Sequence, residues 1–475
     1  LPQLIHNRTY PRYFQRDPIL FNSIKLEPDK AYFLYIGEIK AYGLNAFLIP
    51  VLEQIYCRPV ECIALVPDLL GRYTYPNLVV LNRDSFNYYS SKGILVNCRP
   101  STGSFAREVS ASFIAQELLE RIIREQDSVY ISMFVSRQEM KLVDGERVKL
   151  LGPDPALAHN FNNKIIQYQM ACHLSLPVPE GFCCSCLEEA LESAENFFRC
   201  GEEVFVSEAY SAAGSNSAFA SNYEEIQQRF VENNQPYLVT RRVPHRYDPT
   251  VLAVVANAQE VYVASVADQR MEENRFRGST FPTVLEGEVV EQIKEYTRLV
   301  GRYMGAHGYR GMFGCDFIVD ESGQIYFVEV NARKQGTALE STLTMFHRLP
   351  EHPTLPEIEF CAITRGKLPQ SLTEMDSTRS HICWGTYNVK SERDIRVVQK
   401  VTCCQDEAEM FRQVFQGKGI TSRAIVEDHL GPGVFQRAGG FIARCISVGK
   451  SLSDMNSQLK KKEMQVRSSF RPWHH

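Results

Sequence analysis

Residues Tyr309 to Gly336 read YRGMFGCDFIVDESGQIYFVEVNARKQG. Two apolar, β-rich runs, Cys315 to Asp320 and Gln324 to Asn331, flank the turn-forming Asp320-Glu321-Ser322-Gly323. That arrangement predicts an antiparallel hairpin. The two-residue period of a strand puts Glu329 and Asn331 on one face, and the register that closes a four-residue loop, Glu321 to Gln324, sets Asp316 opposite Glu329. Two carboxylates facing each other across a ladder repel. A hard divalent cation removes the conflict, because Mg²⁺ binds through one or two carboxylates plus phosphate oxygens, and Asn331 can add an amide oxygen. Arg333, just past the strand end, can then meet a phosphate oxygen bidentately. An ordinary hairpin with an exposed acid on each strand would account for Asp316 or Glu329 taken singly. The combination with Glu-x-Asn-x-Arg and the exit at Gly336 points instead to a metal and nucleotide site.

With 475 residues the chain exceeds what one core serves, so roughly two to four domains or subdomains are expected. Its composition, 44% hydrophobic and 23% charged, is that of a soluble globular protein. A formal charge of -4 gives no argument for nucleic acid or an anionic membrane. The 14 cysteines are scattered, and Cys183-Cys184-Ser185-Cys186 and Cys403-Cys404 lack a second CxxC or a His pair to close a zinc site. Buried, reduced thiols are expected. No apolar run is long enough to span a bilayer, and Leu1 to Asp17 is too polar and aromatic for a signal peptide, so a cytoplasmic location is expected.

Residues before about 30 show no period and read as an extended lead-in. Ala31 to Gly37 reads as a strand, followed by a helical stretch through Ile55 and a strand Pro59 to Leu65. Asn77 to Leu81, Ile94 to Val96 and Val129 to Phe134 read as further strands, and Ala111 to Glu125 as an amphipathic helix. A Rossmann-like layer follows, with too few glycines for a dinucleotide turn. Gly152-Pro153-Asp154-Pro155 reads as a linker. Beyond it, Asn162-Asn163-Lys164 opens a helix Ile165 to Leu174, capped by one of the two asparagines. Glu202 to Ala220 reads as strand, loop, strand, its Ala212 to Ser217 small enough for backbone N–H groups to close over phosphates. Tyr237 to Val243, Val251 to Val255 and Glu260 to Val266 continue as strands, and Val289 to Met304 as a helix. After the hairpin come helices Thr337 to Met345 and from Glu359, and then strands Ile382 to Val389, Ala424 to Val426 and Gly440 to Val448 with helices Glu407 to Gln416 and Leu452 to Lys460.

GMFGCDFIVDESGQIYFVEVNAR resembles the metal-binding end of the ATP-grasp superfamily of carboxylate-activating ligases, and Asn162-Asn163-Lys164 followed by Pro177-Val178-Pro179 resembles the opening of its nucleotide domain. The resemblance implies an α/β and α+β architecture. Residues 1–152 would form a Rossmann-like pre-ATP-grasp domain, 153–370 the ATP-grasp domain with a lid at about 180–238, and 371–475 a small α+β cap. The cap's GGFIARCISVGKSLSDMNSQLKK is similar to the end of biotin-carboxylase-type enzymes. By the same resemblance Lys164 contacts phosphate, and Gly214, Ser215 and Asn216 belong to a flexible lid loop. Arg241, Arg242 and Val243 face adenine, and Asp248 faces ribose or substrate. One departure stands out: many members carry a second phosphate-contacting lysine where this chain has Ser207-Glu208, so Arg270, Arg275 or Arg277 is expected to substitute.

The implied cofactors are ATP and Mg²⁺, or Mn²⁺ in its place, with Asp316, Glu329 and Asn331 as metal ligands and Arg333 as the catalytic cation. The order of parts most resembles amino-acid and peptide ligases with a pre-ATP-grasp domain, of the pheganomycin peptide ligase type. The implied reaction joins a small-molecule carboxylate and an amine through an acyl phosphate. A carrier-protein thiol as acceptor, a non-catalytic ATP-binding regulator and a homodimer stay open, while nucleic acid and membrane are not expected partners.

Overall fold

The computed structural model describes residues 24, 26–69, 77–210, 216–231, 235–272, 275–378, 380–399, 401, 406–417 and 419–473. The lid-loop residues Gly214 and Ser215, the pair Cys403-Cys404 and most of the lead-in lie outside them. The chain forms two compact units, one of residues 1–155, 336–373 and 380–475, the other of 156–335 and 374–379.

The first unit begins with a parallel sheet of β1 (Ala31–Ile36), β2 (Val60–Val66), β3 (Leu78–Val80), β4 (Val129–Met133) and β5 (Val148–Leu151), ordered β3-β2-β1-β4-β5. All six residues of AYFLYI in β1 are buried, as a central parallel strand requires. Its helices are α1 (Ile49–Tyr56), α2 (Arg83–Lys92), α3 (Thr102–Ala111) and α4 (Phe113–Glu125). The helical stretch expected after β1 is present in two pieces, α1 being preceded by a 3₁₀ helix, Ile39–Phe47, with Gly43 in its middle and every residue but Lys40 buried, so packing rather than propensity holds it. Ile94 to Val96 makes only an isolated bridge, from Val96 to Phe435. The strand β5 was not anticipated, because a charged Lys149 interrupts a four-residue run.

The second unit contains α5 (Pro155–Phe161), α6 (Lys164–His173), β6 (Gly181–Cys184), α7 (Leu187–Arg199), β7 (Val204–Glu208), β8 (Ser217–Ala220), α8 (Tyr223–Arg229) and β9 (Tyr237–Arg241). It continues with β10 (Pro249–Val255), β11 (Val261–Glu272), β12 (Arg275–Phe281), α9 (Gly287–Ala306), β13 (Gly311–Val319) and β14 (Ile325–Asn331). A small antiparallel sheet runs β6-β9-β7-β8, and β14-β13-β10-β11-β12 lie side by side in a larger one. One face of the larger sheet is the core. Val251, Ala253, Val255, Phe313, Cys315 and Val319 pack there against Val290, Ile293, Val300 and Met304 of α9. Residues of the alternate set, among them Thr250 and Asp316, face the other way. The polar stretch around Arg275 and Arg277 is the hairpin β11/β12.

The chain then returns to the first unit with α10 (Ala338–Arg348), α11 (Leu355–Arg365), β15 (Cys383–Lys390), β16 (Ile395–Val397), α12 (Glu407–Gln416), β17 (Ser422–Asp428), β18 (Phe435–Gln436), β19 (Phe441–Gly449), α13 (Leu452–Arg467) and β20 (Phe470–Pro472). β15 and β17 flank β19 antiparallel, and Met455, Leu459 and Val466 of α13 join a core with Val426, Ala443 and Cys445. No helix among the described residues is long and apolar enough to cross a membrane. The cysteines are not uniformly buried: Cys57, Cys172, Cys183 and Cys200 are exposed. No group of three His, Cys, Asp or Glu among the described residues is arranged to hold a metal.

Candidate functional site

Lys164 is the first residue of α6, and the helix starts there because the Asn163 side chain accepts hydrogen bonds from Ile165 N at 2.9 Å and Ile166 N at 3.3 Å. The Lys164 amide donates to the Ala209 carbonyl at 2.8 Å, tying the helix start to the end of β7. Deeper in α6, Gln167 is buried and holds the helix to β14. Its Oε1 accepts from Val330 N at 3.0 Å and its Nε2 donates to Val330 O at 2.8 Å and to Phe161 O at 2.7 Å. Asn162 Oδ1 accepts from Ala332 N at 3.1 Å. These two amides fix the lysine against the strand that carries Glu329 and Asn331.

In the hairpin, Asp316 does stand directly opposite Glu329, but by another route than a four-residue loop. Val319 pairs with Ile325 and Phe317 with Phe327, and a bulge between Phe317 and Asp316 then leaves Val328 over and restores the Asp316–Glu329 pair. The Asp320 amide donates to Gln324 O at 3.1 Å, so the turn is tighter than expected, with Gly323 in the left-handed region at φ 87°.

The five residues Lys164, Asp316, Glu329, Asn331 and Arg333 form one connected group. Lys164 Nζ makes a short ion pair with Glu329 Oε2. Asn331 Nδ2 donates to Asp316 Oδ2 at 2.9 Å and to Glu329 Oε1 at 3.4 Å, and Arg333 Nη2 donates to Asn331 Oδ1 at 2.7 Å. Thr250 Oγ1 donates to Asp316 Oδ1 at 2.6 Å. Burial, and after it the charge of Glu329, push the Asp316 carboxyl up to about 7. Burial acts on Glu329 in the same direction, but Lys164 and then Arg333 outweigh it and hold Glu329 below its ordinary value. Two stacked carboxylates, one reluctant to ionise, and a neighbouring amide are a donor set of hard oxygens that suits Mg²⁺ completed by phosphate. Asn331 turns its NH₂ toward the carboxylates, and a half-turn of the amide would exchange it for the oxygen.

Two residues that support this group had no signal in the sequence. Gln335 is buried and its Nε2 donates to Thr250 Oγ1 at 3.1 Å, so Gln335, Thr250 and Asp316 form a relay of hydrogen bonds. The relay depends on Gly314, where a Cβ would sit 1.7 Å from Gln335 Nε2. Gly314→Ala is therefore expected to destabilise the fold by about 1–3 kcal/mol as Gln335 is displaced. In urea unfolding, the Gly314→Ala/Gln335→Ala double variant should cost less than the sum of the singles. Strict additivity would mean that Gln335 does not occupy that space.

The remaining residues singled out from sequence make other contacts. Ser207 is buried on β7, and its Oγ has no partner among the described residues. Glu208 Oε2 accepts from Asn216 Nδ2 at 2.7 Å across the β7/β8 turn. Arg241 pairs with Glu202 at 3.4 Å and Arg242 with Glu203, the latter also lying 4.7 Å over the Phe219 ring. Arg241, Arg242, Val243 and Pro244 line a cavity of about 310 Å³ with Asp320, Glu321, Ser322 and Tyr326 at the hairpin turn. Four residues of strand, roughly 13 Å, separate that turn from Asp316. Asp248 extends the row of β10 residues on the Thr250 face and holds His245 Nε2 at 2.9 Å, which raises the imidazole above its ordinary value. Arg277 is paired with Glu272 at 2.7 Å within the β11/β12 hairpin, and Arg270 also has a partner.

Residues 161–337 match the family described as the ATP-grasp domain. A curated relative, the [butirosin acyl-carrier protein]–L-glutamate ligase of Niallia circulans, is 25% identical over 236 residues, which cover 47% of this chain and 55% of the relative. Pyruvate carboxylase 1 of Caenorhabditis elegans is 25% identical over 211 residues, 42% of this chain and 17% of that protein. The chain thus spans about half the length of the first relative and less than a fifth of the second. Among solved structures, biotin carboxylase from Campylobacter jejuni superposes with a TM-score of 0.60 at 14% identity, covering 92% of this chain and 91% of its own. Carboxyaminoimidazole ribonucleotide synthase from Aspergillus clavatus, solved with ATP, gives 0.56 at 12% identity, covering 93% and 100%. The fold is therefore the ATP-grasp fold.

Proposed function

We propose that this chain, which carries an ATP-grasp domain at residues 161–337, is an ATP-dependent carboxylate–amine ligase acting on an amino acid or a similar small acid. The observation that carries the reading is the pairing of Asp316 with Glu329, bracketed by Lys164 and by Asn331 with Arg333. In the proposed reaction a substrate carboxylate oxygen attacks the γ-phosphorus and ADP leaves. An amine nitrogen then attacks the acyl carbon, and phosphate departs with its bonding pair. Such chemistry asks for charge neutralisation and alignment rather than a protein nucleophile. Asp316 and Glu329, with the Asn331 amide, would hold Mg²⁺, which would neutralise charge on the phosphates. Lys164 is poised to exchange Glu329 for a phosphate oxygen, and Arg333 would stabilise the transferred group. Adenine would lie against the Arg241 to Pro244 segment, whose apolar and backbone groups border the cavity at the turn.

A thiol acceptor on a carrier protein is the second reading, supported by likeness to a relative named as an acyl-carrier-protein ligase. Incubation with ATP, Mg²⁺ and pairs of amino acids and amines, scored for ADP and then for product mass, tests the first reading. ADP release should require a carboxylate and should stop with EDTA. ADP release indifferent to any added acid or amine would remove the ligase assignment, and a product found only on a carrier-protein thiol would favour the second.

A further inference from the structure

A cavity of about 670 Å³ lies wholly within the first compact unit, beside β5 at the outer edge of its parallel sheet. None of the residues lining it belongs to the phosphoryl-transfer group. One wall is Tyr130 on β4, whose ring is held edge-on by Tyr56 at 6.4 Å and by Phe360 at 5.9 Å between centroids. Lys149 on β5 is the register partner of Tyr130 and sets its Nζ 5.9 Å from the centre of that ring. Met140, Val143, Leu150 and Ile363 add apolar surface. The loop between β4 and β5 is fixed in shape before any ligand arrives. Lys141 N donates to Ser110 Oγ at 2.9 Å, and Asp144 Oδ1 accepts from the amides of Glu146, Arg147 and Val148 at 2.8, 2.9 and 2.8 Å. The charged residues of the lining are Arg137, Lys141 and Lys149 against one carboxylate, Asp154. Thr102 Oγ1 accepts from Arg137 Nε at 2.8 Å and pins that guanidinium. Among the described residues, no carboxylate lies within ion-pair distance of Lys141 or Lys149. Cations gathered around one concave space repel each other and concentrate anions there.

We propose that this cavity binds a small organic dianion, a phosphate monoester or a dicarboxylate on an aromatic or aliphatic body, with Arg137, Lys141 and Lys149 meeting the charge and Tyr130 the body. Its volume falls in the range of sites for small organic ligands, roughly 300–1,000 Å³. An inorganic anion would leave the apolar wall unused, and a cation would meet three charges of its own sign. The binding does not rest on the ligase reaction proposed above, since it uses none of the same residues.

The test is calorimetric titration of the full chain, in EDTA, without nucleotide and at low ionic strength, with phenyl phosphate and with phenylsuccinate, beside inorganic phosphate and benzyl alcohol as controls. Saturable binding of at least one dianion is expected, about tenfold tighter than either control, and which of the two binds identifies the acidic group. Its affinity should fall about tenfold in Lys141→Gln and in Lys149→Gln, and should match the parent in Lys92→Gln, which removes an exposed charge on α2. Lys141 is exposed and Lys149 half-buried, so both variants are expected to fold, which circular dichroism checks. Absence of binding by both dianions, equal binding of inorganic phosphate or benzyl alcohol, or unchanged affinity in both cavity variants would overturn the proposal. So would an equal loss in Lys92→Gln, which would mark a general charge effect. A loss confined to Lys164→Gln would overturn it too, by placing the dianion at the phosphoryl-transfer group. Carboxylate-dependent ADP formation is scored separately, so failure of the ligase reading leaves this result standing.

Discussion

Replacing Glu329 by glutamine is expected to lower carboxylate-dependent ADP formation by about three orders of magnitude, with the chain still folded. The substitution keeps the shape of the side chain and removes one of two anionic faces that a magnesium ion needs, while Lys164 loses its partner. Because the proposed metal would contact the phosphates throughout the reaction, kcat should fall and the KM for the metal–nucleotide complex should rise together. Removing the Glu329 charge also relieves Asp316, whose carboxyl is held up by burial and then by that charge, so Asp316 should titrate at lower pH in the variant. Steady-state assays beside circular dichroism check this. A rate within tenfold of the parent, from a folded variant, would take Glu329 out of the metal site.

Gln167→Leu should have the largest effect on stability, about 3 kcal/mol. Leucine approximates the volume of glutamine but strands the Val330 N–H and C=O, which the amide satisfies at 3.0 Å and 2.8 Å, and the Phe161 carbonyl at 2.7 Å. Buried groups left without partners cost about 1–3 kcal/mol each, and partial access of water reduces the total. The urea midpoint should move without a change in slope. Activity should fall as well, because α6 and β14 carry Lys164 and Glu329. A variant as stable as the parent would show that these bonds contribute nothing net.

How much of this was legible in the sequence depended on range. The hairpin, an asparagine cap before α6 and the bounds of α12 were readable because period, turn residues and caps are local signals. The bulge was not, because Val328 is a β-branched residue among others and nothing distinguishes an unpaired one. Gln167 and Thr250 were also invisible, their partners lying 163 and 66 residues away.

The strand that bears Glu329 is the outermost of its sheet, with β13 on one side only. An outermost strand offers unpaired amides to any other chain, and a β-branched, aromatic one such as IYFVEVN invites it. Here the Pro177 carbonyl takes the Phe327 amide at 2.8 Å and the Gln167 carboxamide takes both polar groups of Val330, so at these two residues the edge is covered by its own chain. The contacts that hold the proposed metal ligands in place are thus also the ones that cover this edge at Phe327 and Val330.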